Sequence, residues 1–120
     1  MHSVFLRMDL LKDLKEKYIA HPAVKELFLQ ISKQASKTHL QNTAGSASSF
    51  IASATFENEP APMLFILPDR EEAAYFLNDL ENLNPGHSVF FFPSSYRKPF
   101  KLNAHENASI QMRTEVLSHI

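Results

Sequence analysis

The order of apolar runs and turn signals along this chain predicts an α/β fold: a three-layer α/β/α domain with a short parallel sheet, preceded by N-terminal helices. Two short apolar runs, Met63–Leu67 and Ser88–Phe92, are stopped by prolines. Each reads as a strand buried on both faces, as in a parallel sheet. Each run is followed by a stretch with helical spacing of apolar residues. From Lys37 onward the order is therefore strand, helix, strand, helix, strand, helix. Such alternation with short connections implies right-handed crossovers and helices on both faces of the sheet.

Leu10, Leu11, Leu14 and Tyr18 fall near helical spacing, which predicts a helix from Asp9 to about Tyr18. Pro22 interrupts it and suits the first turn of a second helix, expected to run to about Ser36. Val24, Leu27, Phe28 and Ile31 form the apolar face of that helix. Lys37 to Leu40 is a short strand candidate. The helix after Gly45 is expected to carry Phe50, Ile51 and Ala54 inward. Asp69 is placed to cap the next helix, with Glu71 and Glu72 in its first turn, where acids suit the helix dipole. Ala73, Phe76, Leu77 and Leu80 make its apolar stripe. Asn84-Pro85-Gly86-His87 is a strong turn signal. A polar loop follows the second apolar run to about Asn103. The last helix begins near His105 and carries Ile110, Met112 or Arg113, Val116, Leu117 and Ile120. This divides the chain into an N-terminal helical segment, residues 1–36, and an α/β domain, residues 37–120. Phe65, Ile66, Phe90 and Phe91 are expected in the core of that domain.

A chain of 120 residues, 44% hydrophobic, suits one small domain or a piece of a larger protein. Its net charge of −1 gives no whole-domain attraction to nucleic acid or to an acidic membrane. The chain has no cysteine, which excludes disulfides and thiolate metal sites and is compatible with a reducing cytoplasm. Arg7, Asp9 and Lys12 interrupt the first stretch, so no signal peptide is read there. No apolar stretch reaches the length of a membrane span, and no membrane partner is expected.

The segment Asn42-Thr43-Ala44-Gly45-Ser46-Ala47-Ser48-Ser49 has the outline of a phosphate-binding loop. A working loop reads G-x-x-x-x-G-K-[ST] between a strand and a helix. On that template Asn42 and Ala47 fall on the two glycines, Ser48 on the lysine and Ser49 on the Mg²⁺-binding hydroxyl. Ser48 carries no charge to neutralise phosphate, and Ala47 adds a Cβ where the backbone must approach it. Gly45, Ser46, Ala47, Ser48 and Ser49 are left with the backbone N–H groups of a helix start, which meet anions without a lysine. The plainer reading is a polar loop capping a helix through Ser46. No ATP turnover or cofactor binding is expected of this chain.

Other polar clusters carry weaker signals. Asp69, Arg70, Glu71 and Glu72 read as a decorated helix start rather than an acid/base cluster. Tyr96, Arg97, Lys98, Phe100 and Lys101 combine cations with aromatic rings, the composition of a nucleic-acid patch or other interaction loop, against the plainer reading of a solvated loop with Phe100 tucked against the sheet. The six histidines are scattered without the i, i+4 pair of a helical metal site, so no metal is expected. There is no G-x-S-x-G elbow and no cysteine nucleophile.

The stretch Leu64 to Leu80, with its apolar strand, Pro68-Asp69 and a helix ending in Asp79-Leu80, resembles part of the bacterial transcription-repair coupling factor (Mfd) family. Val89-Phe90-Phe91-Phe92-Pro93, Pro99-Phe100, and Arg113 with Glu115-Val116-Leu117 follow in the order of that family's strand, Phe-Pro loop and Arg-x-x-x-Leu helix. The resemblance spans roughly Leu40 to Ile120. It departs in Ser94-Ser95-Tyr96-Arg97-Lys98-Pro99, where the family has an aromatic and an acid before its second proline. The resemblance implies a UvrB-like domain with a degenerate P-loop of the NTPase type, at the start of a longer chain. The parent it implies is an ATP-driven translocase on double-stranded DNA that displaces stalled RNA polymerase and recruits UvrA for nucleotide excision repair. ATP and Mg²⁺ would serve that parent's motor. This chain would be a non-catalytic scaffold that supports UvrA binding and helps hold the parent in its repressed state. The alternative reading is a stand-alone small α/β nucleotide-binding protein or enzyme.

Overall fold

The computed structural model describes residues 2–94 and 104–120. Its elements are five helices: α1 His2–Ala20, α2 Pro22–Ile31, α3 Ala47–Asn58, α4 Arg70–Leu83 and α5 Ala104–His119. Each predicted helix is present, and local chemistry sets most of the ends. The Nδ1 of His21 accepts the Ala23 N–H at 3.2 Å, and Pro22 sits where its missing N–H costs nothing. α2 stops at Ile31, short of the expected Ser36, and Ala35 beyond it has φ of 55°. At α4 the Asp69 carboxylate accepts the Glu72 N–H at 2.8 Å. After α4, His87 N–H donates to the Asn84 carbonyl at 3.2 Å, and Gly86 has φ of 87°. Pro85 and Gly86 thus fill the second and third positions of a type II turn, where a positive φ favours glycine.

The core is helix against helix. α1 lies along α3, with Leu11, Leu14, Lys15 and Tyr18 turned toward it in an i, i+3, i+4, i+7 pattern. The Tyr18 and Phe50 rings stack with centroids 5.1 Å apart. α2 also packs on α1 and α3, through Val24 and Leu27. α3 meets α4 through small residues: Ser49, Ala52, Ser53 and Ala54 are buried, and so are Leu80 and Leu83 opposite. Lys15 joins three helices. Its Nζ donates to the Leu83 carbonyl at the end of α4, at 3.1 Å, and pairs with Glu57 of α3 at 2.8 Å.

The expected three-layer α/β/α architecture is not formed. Every regular element among the described residues is a helix, and no sheet is present. Lys37 to Leu40 is an exposed segment without regular structure. Met63–Leu67 and Ser88–Phe92 are straight, without bend or turn, but no backbone hydrogen bond among the described residues reaches either. Their side chains nonetheless alternate as in a strand. Leu64 and Ile66 are 85% and 89% exposed, while Met63, Phe65 and Leu67 lie closer in. In the second run Val89 and Phe91 are half-buried, while Phe90 and Phe92, 37% and 49% exposed, lie toward α5. The physical reason is the packing of the helices. Small buried residues of α3 face α4, and α1 and α2 also pack on α3, so these helices bury one another instead of sandwiching a sheet. Neither run meets a backbone partner among the described residues. Phe65, Ile66 and Phe90 are consequently outside the core, and Phe91 is only half-buried.

The result is an open molecule. Its radius of gyration is 16.8 Å, against about 13–14 Å for a close-packed domain of this length.

Candidate functional site

Two regions merit attention: the loop before α3, and a cleft between α3, α4, α5 and the two straight runs.

In the loop, Asn42 and Gly45 both have a positive φ, 62° and 56°. Asn42 stands at the first glycine of the phosphate-loop template, and asparagine tolerates that conformation better than most residues. A Cβ added at Gly45 would touch nothing within 4 Å, so the backbone angle rather than space favours glycine there. Ser46 occupies the N-cap position but its hydroxyl makes no capping bond. The helix instead starts on backbone bonds, Ala47 N–H to the Ala44 carbonyl and Phe50 N–H to the Ser46 carbonyl, each at 3.1 Å. Ala47 is the first helical residue, and Ser48 is exposed.

Ser49 is 2% exposed, and its Oγ donates to the Asp79 carboxylate at 2.9 Å. The hydroxyl that falls on the Mg²⁺ position is therefore turned into the α3–α4 seam. One turn further along, the Ser53 hydroxyl donates to Asn84 Oδ1 at 2.9 Å, and Asn84 Nδ2 donates to the Leu80 carbonyl at 3.0 Å. Asp79 and Asn84 escaped the sequence reading as partners of these serines. The two pairs span 30 and 31 residues of sequence, and neither is a local motif. The i, i+4 repeat of Ser49 and Ser53 on α3, matched by acceptors near the end of α4, is the signal that would have found them.

Asp69 is engaged as a helix cap, while Glu71 and Glu72 are exposed beside it. Among the described residues no three His, Asp or Glu side chains come together as a metal site. No helix among them is long and apolar enough to cross a membrane. Tyr96, Arg97, Lys98, Phe100 and Lys101 lie outside the described residues.

The cleft is the larger feature, about 1400 Å³ in volume. Ala52 and Phe56 of α3 and Ala73, Phe76 and Leu77 of α4 contribute to its walls, with both straight runs and the inner face of α5. Aromatic contacts hold the runs against the helices. Phe65 meets Phe76 with ring centroids 5.0 Å apart, and Phe90 meets His119 at 4.6 Å. The Arg113 guanidinium lies 5.1 Å from the centroid of Phe92, a cation–π arrangement. The sequence left Met112 and Arg113 as alternatives for the inward position of α5. Arg113 takes it, with Ser109 and Val116 one turn to either side, while Met112 is more exposed.

Comparison with protein-family models, curated proteins and solved structures finds no match to this chain.

Proposed function

We propose that this chain is a non-catalytic interaction domain of the transcription-repair coupling factor type, working as a scaffold within a larger DNA-repair translocase. One observation carries the reading. The segments that resemble that family, Leu64 to Leu80 and Val89 to Pro93, are also walls of the open apolar cleft. An apolar cleft of this size is a feature of binding surfaces. The loop before α3 supports the non-catalytic part. Ser48 stands where a lysine would meet phosphate, and the hydroxyl of Ser49, in the first turn of α3, is buried and bound to Asp79. Phosphoryl transfer needs cations and a held Mg²⁺ around the phosphates. In this reading the partners are the rest of the parent chain and, through it, UvrA, RNA polymerase and double-stranded DNA. ATP and Mg²⁺ belong to the parent's motor, and the setting is cytoplasmic.

The test is complementation in trans. A coupling factor lacking the corresponding segment is mixed with this chain, and its ATP turnover and its capture of UvrA are measured. The chain is expected to lower the turnover and restore the capture. Absence of both effects would overturn the reading, as would Mg²⁺-dependent phosphate release by the chain alone that Ser49→Ala abolishes.

A further inference from the structure

We infer that the cleft binds an extended apolar peptide segment carrying acidic residues, by addition of its backbone to the straight runs Met63–Leu67 and Ser88–Phe92. The inference rests on the reading of the chain as an interaction domain and names the chemistry of what that domain holds. Two independent features lead to it.

The first is the state of the backbone. Both runs are straight, and their side chains alternate between covered and exposed along most of their length, as in a β-strand. Yet among the described residues no backbone hydrogen bond reaches residues 60–68 or 88–94. A strand-like run with free N–H and C=O groups is the template used when a peptide adds to a sheet edge. Five residues is an ordinary strand length, about the mode for globular proteins. A helix has no use for such groups, since its own backbone is already paired. The occupant is therefore extended.

The second is charge. The charged side chains lining the cleft are Asp69, Arg70 and Arg113, with His87 and His119 at its margin. Asp69 already accepts the Glu72 N–H. Neither arginine is paired with a carboxylate among the described residues. Arg113 is further held in place over Phe92. The cleft is thus apolar with an excess of cationic charge, which favours an apolar segment bearing carboxylates and disfavours one bearing lysines.

A fluorescein-labelled octapeptide of alternating valine and threonine, ended by aspartates, tests this directly against the intact chain. Fluorescence polarisation is expected to saturate, and the amide infrared spectrum of the mixture to gain β-structure. The same peptide ended by lysines is expected to bind about tenfold more weakly, a difference of one decade in Kd. Ile66→Pro removes an N–H from the first run at a side chain that is 89% exposed. It is expected to weaken binding at least about tenfold while leaving the helical circular dichroism unchanged. Leu64→Asp, at a side chain 85% exposed, provides a second variant that keeps the helices. Arg113→Glu is expected to reverse the preference between the two peptides.

Polarisation that does not saturate, an Ile66→Pro variant that binds like the parent, or equal affinity for both peptides would overturn the inference. So would a concentration-dependent dimer that the peptide dissolves, since the occupant would then be a second copy, or displacement of the peptide by single-stranded DNA. Failure here with successful complementation in trans removes this inference alone. Failure of both removes the interaction-domain reading as well.

Discussion

Ser53 and Asn84 form the most buried polar contact that joins two helices. Ser53 is 0% and Asn84 9% exposed, and the hydroxyl donates to Oδ1 at 2.9 Å. Asn84→Leu keeps the approximate shape but removes the acceptor, leaving the Ser53 hydroxyl in an apolar seam. An unmet buried group of this kind costs about 1–3 kcal/mol. The Leu80 carbonyl is not orphaned by the change, because the Asn84 backbone N–H also donates to it, at 2.9 Å. The expected loss is therefore near the middle of the range, about 2 kcal/mol. Ser53→Ala removes the donor instead and leaves Asn84 Oδ1 without it, at an expected cost of about 1 kcal/mol, the low end of the range, because Nδ2 still holds the amide on the Leu80 carbonyl. With both changed, no polar atom is stranded, and the double variant should lose only about 1 kcal/mol rather than the sum of about 3. Urea unfolding followed by helical circular dichroism gives the four free energies of the cycle. For a domain of this size 1 kcal/mol moves Tm by about 3–6 °C, so melting curves resolve the same pattern. Single losses that add to within about 0.5 kcal/mol would refute the contact as the source of the effect.

Four further outcomes are expected. Ile66→Ala, at a side chain 89% exposed, should change stability by less than about 0.5 kcal/mol in denaturant unfolding; a loss of about 2–5 kcal/mol would mean a buried strand. Lys15→Met should cost about 1–2 kcal/mol, since Lys15 is 14% exposed and caps the Leu83 carbonyl at the end of α4. Glu57→Gln should cost under about 1 kcal/mol, because Glu57 is 56% exposed and water screens its half of the pair; equal losses in the two variants would contradict this division. Ser48→Lys should not create ATP turnover in a phosphate-release assay, because a single cation supplies neither a held Mg²⁺ nor a positioned water. Turnover appearing with that one substitution would show that the rest of the loop is competent.

Most of the helical part of this molecule was legible in its sequence because its determinants are local. Asp69 three residues before Glu72, Pro22 after His21, and Pro85-Gly86 after Asn84 act within one turn of chain. The apolar stripe of α4 likewise lies within a few turns. The sheet was misread for the complementary reason. An unbroken apolar run such as Met63–Leu67 reports a preference for burial and for an extended backbone, but not whether a second run is within reach to pair with it. The small residues of α3 were the contrary signal. Ser49, Ala52 and Ser53 drew no attention as a set, yet all three are buried where α3 packs on α4. The loop before α3 was legible in outline. Gly45 has the positive φ expected of a turn glycine, and the helix starts two residues later. What it does with its hydroxyls was not legible, because the acceptor of Ser49 lies 30 residues away.

The same two runs, without backbone partners among the described residues, set how the chain behaves in company with itself. Short apolar segments with free backbone edges and no charge are the usual nuclei of cross-β stacking. Met63–Leu67 and Val89–Phe92 contain no charged residue. Prolines act as gatekeepers here, with Pro62 and Pro68 bracketing the first run and Pro93 closing the second. A proline has no N–H to offer a ladder. Stacking begun on either run therefore meets a break within a few residues, before it can extend along the chain. Removing Pro68 or Pro93 would lengthen the stretch over which one molecule can template another.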